Sequence, residues 1–289
     1  MTTERIEAVF LTTHNWGKAA KFFQTLGFTL DFETDHNSGN DKIGLALLAP
    51  DQDWRRRGDM DPQLSRPFRA SIVALALHRG PGRGRGQPRK YVILGAGLDS
   101  FAQRKPDIAS HLMMFEIDQP GPQAWKRQRL IELGFGVPGR LRFVPVDFEA
   151  GESRRDALVS AGFDAGKPAN MVSTGVSIYL TRDANTATLR EVAGFAQGST
   201  LAMTFLLPLE TADDEVRAGL EMAERGARAS GTPFVSFFTP PEMLALARDA
   251  GFAEARHVPA VDLTQRYFAG RTDGLRPPRN AEELLVART

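Results

Sequence analysis

From about residue 90 onward, short apolar runs alternate with helix-like segments, and no other feature of this 289-residue chain limits its fold as strongly. The runs fall at 91–94, 112–117, 141–146, 169–173 and 200–206. The first, Tyr91-Val92-Ile93-Leu94, is continuous, which suits a strand covered on both faces, as in a parallel sheet. Helical patterns at 123–133, 153–161 and 184–195 stand between them. Repeated strand–helix units require right-handed crossovers with helices on both sides. The expected fold is therefore α/β, a doubly wound Rossmann-like sheet.

The end of the chain changes rhythm. Residues 211–229 read as a long helix, with Thr211 and Asp214 spaced as a capping-box variant. Thr239-Pro240-Pro241-Glu242 opens another helix, which Gly251 stops. Strand-like stretches at 253–258 and 283–287 follow, joined by a short connection that is partly helical near 263–268. A close antiparallel pair at one sheet edge is expected.

Upstream, residues 1–42 read as β-α-β. Ala8-Val9-Phe10-Leu11 is a short apolar run, a helix from Asn15 or Trp16 to Leu26 ends at Gly27, and 28–34 alternates apolar and polar. Residues 43–89 read as an irregular connection with a helix inside 67–77. The Gly-Arg alternation at 78–90, bracketed by prolines, forms neither helix nor strand at low cost and reads as a linker. The domain expectation is thus 1–42, 43–89 and 90–289.

Composition removes several functions. Lys+Arg 36 against Asp+Glu 35 leaves a net charge of +1, which argues against a globally basic nucleic-acid binder. With no cysteine there is no disulfide, zinc–thiolate site or cysteine nucleophile. No apolar run is long enough to cross a membrane, and the first residues lack a secretion-signal pattern. The expectation is a soluble cytoplasmic protein. Its oligomeric state is left open.

The chemistry concentrates where apolar runs end. Leu94-Gly95-Ala96-Gly97-Leu98-Asp99-Ser100 gives Gly-x-Gly-x-x-Ser directly after a buried strand, a bend that lets a ligand approach backbone. Asp118 stands 21 residues after Gly97, about the spacing at which an acid reaches the hydroxyls of a nucleotide-like ribose. Glu116 has the same strand parity and is the reserve. A helix N-cap is the structural alternative for Asp118. Asp147 can accept from an exocyclic amine, and Phe148 can give a base an apolar face. Ser173-Thr174-Gly175 offers small residues at a fourth strand end. His14, Glu33 and His36 form no complete metal set, so no metal is expected.

These phrases carry a resemblance. Residues 91–100 (YVILGAGLDS), 115–120 (FEIDQP), 144–148 (VPVDF), 173–180 (STGVSIYL) and 237–252 (FFTPPEMLALARDAGF) resemble a class I S-adenosylmethionine-dependent methyltransferase of the leucine carboxyl methyltransferase-like family. The resemblance implies a seven-stranded sheet and S-adenosyl-L-methionine as cofactor. It implies Gly95 and Gly97 beside the cofactor's amino-acid part, with Ala96 between them in the same site. It also implies Asp118 on the ribose, and Asp147 with Phe148 around the adenine. Thr174 stands where related proteins carry a glutamate. Arg79 is the candidate for a basic residue on the cofactor carboxylate. The first 40 residues resemble a partial glyoxalase/bleomycin-resistance module.

The implied activity is O-methylation of a carboxylate on a small molecule or peptide, for which a sulfonium methyl needs alignment more than a base. Tyr179 is the candidate helper for a hydroxyl acceptor. Two alternatives stay open. One is a cofactor-binding protein with little turnover, motivated by a shortened front. The other is a nicotinamide-dependent oxidoreductase using the same glycine bend.

Overall fold

The computed structural model describes residues 8–13, 28–35, 42–48, 89–229, 231–269 and 280–289. Strands β1 (Ala8–Thr13), β2 (Phe28–Asp35) and β3 (Lys42–Leu48) form an antiparallel sheet in the order β1-β3-β2. The two expected strands are present. The third corrects the reading of 43–89 as connection only: Lys42-Ile43-Gly44-Leu45-Ala46-Leu47-Leu48 carries no polar alternation, so a period-two pattern passes over it. The helices expected at 15–26 and 67–77, and the Gly-Arg run up to Pro88, lie outside the described residues.

The second sheet has seven strands: β4 (Arg89–Leu94), β5 (Leu112–Asp118), β6 (Leu141–Pro145), β7 (Asn170–Ser173), β8 (Thr200–Leu206), β9 (Glu254–Val258) and β10 (Glu282–Arg288). Their order is β6-β5-β4-β7-β8-β10-β9. Pairings from β6 to β8 are parallel, and β10 is antiparallel to both β8 and β9. The expected antiparallel pair is present, with the reversed strand inside the sheet and β9 at its edge.

Alternate residues of each strand serve two separate cores. Val92, Leu94, Phe115, Ile117, Met203 and Leu285 lie in one apolar cluster, while Tyr91, Ile93, Met114, Val172 and Leu284 lie in the other. This two-sided burial is why the strands read as predominantly apolar runs.

The helices are α1 (Phe101–Arg104), α2 (Pro106–Ala109), α3 (Pro120–Glu132), α4 (Arg154–Ser160), α5 (Arg182–Ala193), α6 (Asp214–Ala229), α7 (Pro240–Ala250) and α8 (Ala260–Leu263). Local chemistry sets most of their ends. Ser153 and Thr181 cap α4 and α5, accepting from the Asp156 and Ala184 amides at 3.1 and 3.2 Å. Thr239 and Glu242 close a full capping box on α7, and Gly251 ends it at φ 103°. Helix α3 starts three residues earlier than expected, because Pro120 already has the backbone angle of a first helical residue. The Thr211 cap is not formed: its hydroxyl donates to the Pro208 carbonyl at 2.7 Å, and α6 begins at Asp214.

A chain of edge-on rings ties the sheet to its flank. Phe115 meets Phe163, and Phe163 meets Phe195, each pair with centroids 5.3 Å apart. Phe163 is 3% exposed. Phe163→Ala is expected to cost about 3–5 kcal/mol in denaturant unfolding, whereas the exposed Ile131→Ala should cost less than about 0.5 kcal/mol on the same measurement.

Candidate functional site

Strand β4 pairs with β5 on one side and β7 on the other, so the chain's winding reverses there. Open α/β sheets bind ligands outside the carboxyl ends of the strands at such a point. The sequence-predicted residues 95–97, 118, 147–148 and 174 follow or end those strands, and the structure brings them to one end of the sheet.

The glycine bend is fastened to β5. The Gly95 and Ala96 amides donate to the Ile117 carbonyl at 2.8 and 3.0 Å, and the Gly97 amide donates to the Asp118 carboxylate. The other Asp118 oxygen accepts from the Gln119 amide at 2.7 Å. Asp118 therefore holds the bend instead of capping α3, whose N-cap is Gln119. Gly95 is required sterically: at φ 67° a Cβ there would lie 2.4 Å from a Val176 methyl. At Gly97 and Gly175, also at positive φ, a Cβ would meet nothing within 4 Å. Among the described residues, then, nothing crowds Gly97 after β4 or Gly175 after β7, where a ligand can approach main chain.

The bend also shows which ligand it does not suit. Helix α1 has four residues, and its first amide, Phe101, is taken at 2.8 Å by the carboxylate of Asp99, which is 6% exposed. An acid stands where a pyrophosphate would need free amides.

The neighbouring loops are tied to one another. Asp147 accepts from the Glu149 amide at 2.9 Å, while its own amide donates to Glu152. Glu149 then clasps Thr181 through both carboxylate oxygens. Behind Thr174, the Gly175 amide donates to the Thr204 hydroxyl at 2.8 Å, and Ser177 donates to the Thr204 carbonyl. The fully buried Asn185 donates to the Ser177, Leu180 and Thr181 carbonyls. Thr204 and Asn185 were not singled out from sequence: the partners of Thr204 lie across the fold, and Asn185 turns back onto the carbonyls of the loop just before its own helix.

Two readings need correction. Phe148 is 7% exposed, belongs to the core, and carries the Arg154 guanidinium 4.7 Å above its ring. Its ring packs the core instead of standing open to a base. Glu116 is 0% exposed and ion-pairs with Lys126 of α3, so it cannot serve as the reserve ribose acid. Burial pushes its carboxyl up to about 7 against the attraction of Lys126. The unfolded carboxyl sits near 4.5, so this group's contribution to stability is complete below that value and is lost as pH rises through about 7.

Tyr179 lies in the short 3-10 turn after β7, 40% exposed, with its ring 5.5 Å from Phe234 in an edge-on pair. Burial, and then the charge of Glu282, raises its phenol above the ordinary value. The Phe234–Phe238 segment is divided: Val235 and Ser236 donate to the Ile178 carbonyl beside the tips, while Phe238 is buried in the core. Arg79, His14 and His36 lie outside the described residues, among which no group of three potential metal ligands forms. A cleft of about 470 Å³ lined by Gln197, Arg288 and Thr289 opens at the opposite end of the sheet, away from these loops.

A family model for leucine carboxyl methyltransferase matches residues 69–193, a span that begins upstream of β4 and takes in the tips of β4 to β7. YktD of Bacillus subtilis (strain 168), assigned as an S-adenosyl-L-methionine-dependent methyltransferase, is 33% identical over 212 residues, covering 72% of this chain and 67% of YktD. Rv3787c of Mycobacterium tuberculosis (strain H37Rv), assigned likewise, is 37% identical over 145 residues, covering 50% of this chain and 46% of that protein. The chain thus spans about two thirds of one relative and less than half of the other. Among solved structures, a protein of Thermobifida fusca YX assigned as a methyltransferase shares the fold with a TM-score of 0.51 at 20% identity, covering 76% of this chain and 79% of that one. From the strand-tip geometry and these matches together, the chain belongs to the leucine carboxyl methyltransferase-like family of class I S-adenosylmethionine-dependent methyltransferases, with S-adenosylmethionine as its cofactor.

Proposed function

We propose that this chain methylates an oxygen of its acceptor, and that the oxygen belongs to a carboxylate of a small molecule or peptide. The observation that carries the cofactor side is the Gly97 amide closed onto Asp118 at the switch point. Asp118 stands at the end of β5 as the acid for the ribose hydroxyls, and a carboxylate can accept at about four sites. Gly95, Ala96 and Gly97 lie along the amino-acid part of the cofactor, and Asp147 meets the adenine edge. Bound S-adenosylmethionine supplies an electrophilic methyl group, so the chain's own work is to bind, align and exclude water. The Asp99 carboxylate at α1 counts against the nicotinamide alternative.

The acceptor class rests on what the loops lack and on how Tyr179 is charged. Among the described residues the histidines are His111, ahead of β5, and His257, in β9; neither follows β4, β5, β6 or β7. With its phenol raised, Tyr179 keeps its proton at neutral pH, so it donates a hydrogen bond and does not act as a base. A hydroxyl acceptor needs a base. A carboxylate is already ionised and benefits from a donor.

Calorimetry with S-adenosylhomocysteine should show binding to the wild-type protein and none of NADH. Asp118→Asn should weaken that binding by about 10–100-fold, the worth of hydrogen bonds to a charged acceptor. With methyl-labelled cofactor and a broad panel of carboxylic acids, the product should release labelled methanol in alkali, as methyl esters do. Cofactor binding without such product across the panel would favour the non-catalytic alternative. On the best acid, Tyr179→Phe should lower turnover about tenfold, equally at pH 6 and pH 9, because the phenol stays protonated throughout. A loss confined to high pH would instead identify Tyr179 as a base.

A further inference from the structure

Beneath the strand tip lies an acid that the cofactor reading does not use. Glu116 is completely buried two residues before Asp118, on the same face of β5. One carboxylate oxygen meets the Lys126 ammonium, and the other is buried with no hydrogen-bond partner among the described residues. The main chain is held at the same place: Gln123 of α3, 5% exposed, donates to the Glu116 carbonyl at 2.8 Å. Helix α3 begins at Pro120, two residues after Asp118. Asp118 is therefore suspended between two fixed points, the helix start and the Glu116 anchorage.

We propose that Glu116, clasped by Lys126 and Gln123, is a positioning residue for the cofactor site, setting the placement and the electrostatic field of the Asp118 carboxylate. The proposal rests on the reading of Asp118 as the ribose acid. A buried ion pair is weak evidence for stability, since an apolar pair of similar volume serves as well or better. Its effect here is local. The charges that Glu116 feels are Lys126 from α3, Asp99 from the loop after β4, and Asp118 from its own strand. From β6 it meets no charge, and the Lys126 ammonium lies 5.9 Å from the Phe143 ring of that strand. With Glu116 ionised, three carboxylates share one ammonium, and Asp118 is a stronger acceptor for hydroxyls. With Glu116 protonated, that field weakens. Burial places this change at about pH 7.

The test is S-adenosylhomocysteine affinity by calorimetry between pH 6 and pH 8, with near-ultraviolet circular dichroism confirming the fold. Wild-type affinity should rise about three- to tenfold across a single step near neutrality, an effect of the order of one unit of charge interaction. Glu116→Gln should remove the step. Lys126→Met should move its midpoint upward, because the remaining carboxylate loses its counter-charge. A wild-type affinity that does not change with pH, or a step that persists in Glu116→Gln, overturns the proposal. Should Glu116→Gln fail to fold, an unmoved midpoint in Lys126→Met overturns it instead. Failure of folded wild-type protein to bind at any pH would overturn the cofactor reading itself, a separate result.

Discussion

A single charge-assisted hydrogen bond, from the Gly97 amide to Asp118, joins the loop after β4 to the end of β5. The rest of the site is arranged around it. A bend with two left-handed glycines exposes amides that need acceptors, and the structure supplies them from one strand: the Ile117 carbonyl twice and Asp118 once. Val176 fills the space that a side chain at Gly95 would need. The loops after β6 and β7 gain their rigidity from each other through Glu149 and Thr181, and from Thr204 and Asn185 behind them. A site built on strand tips thereby avoids the looseness common to loops.

Helix α3 buries three polar side chains beside the apolar Leu130. Gln123, Lys126 and Arg129, spaced three apart, are all buried there. Such networks demand nearly complete pairing in low dielectric, and they fix geometry more tightly than interchangeable methyl groups can. That the network lies directly under Asp118 connects the packing of one helix with the chemistry of one carboxylate.

The fold was legible from the sequence wherever a local pattern has one physical cause. Two-sided burial made the strands predominantly apolar, and five parallel strands were readable from those runs. Ser153, Thr239 and Gly251 marked helix ends because capping acts within a few residues. The spacing of Gly97 and Asp118 was legible because the crossover between them is short. What escaped depends on distant partners. Phe148 looks like any aromatic at a strand end until Arg154 covers it. Glu116 and Asp118 share a parity, and only Lys126, on the following helix, separates a buried acid from one at the tip. Thr204 is an ordinary polar residue in sequence, and its partner Gly175 lies 29 positions away. Strand β3 lacks the alternation that would have revealed it.

The reversed strand β10 carries a consequence for biogenesis. Among the described residues it alone joins β9 to the sheet, and it also covers the side of β8 away from β7. As the chain emerges from the ribosome, α7 can pack on the earlier helix α5, but β9 is made before the strand it pairs with. Until residues 282–288 appear, the nascent domain carries an unsealed β8 margin, the kind of bare strand that invites pairing with other chains. Completion of the sheet is therefore a late, cooperative event, with a window of aggregation risk that closes only when this last strand is threaded between its two neighbours.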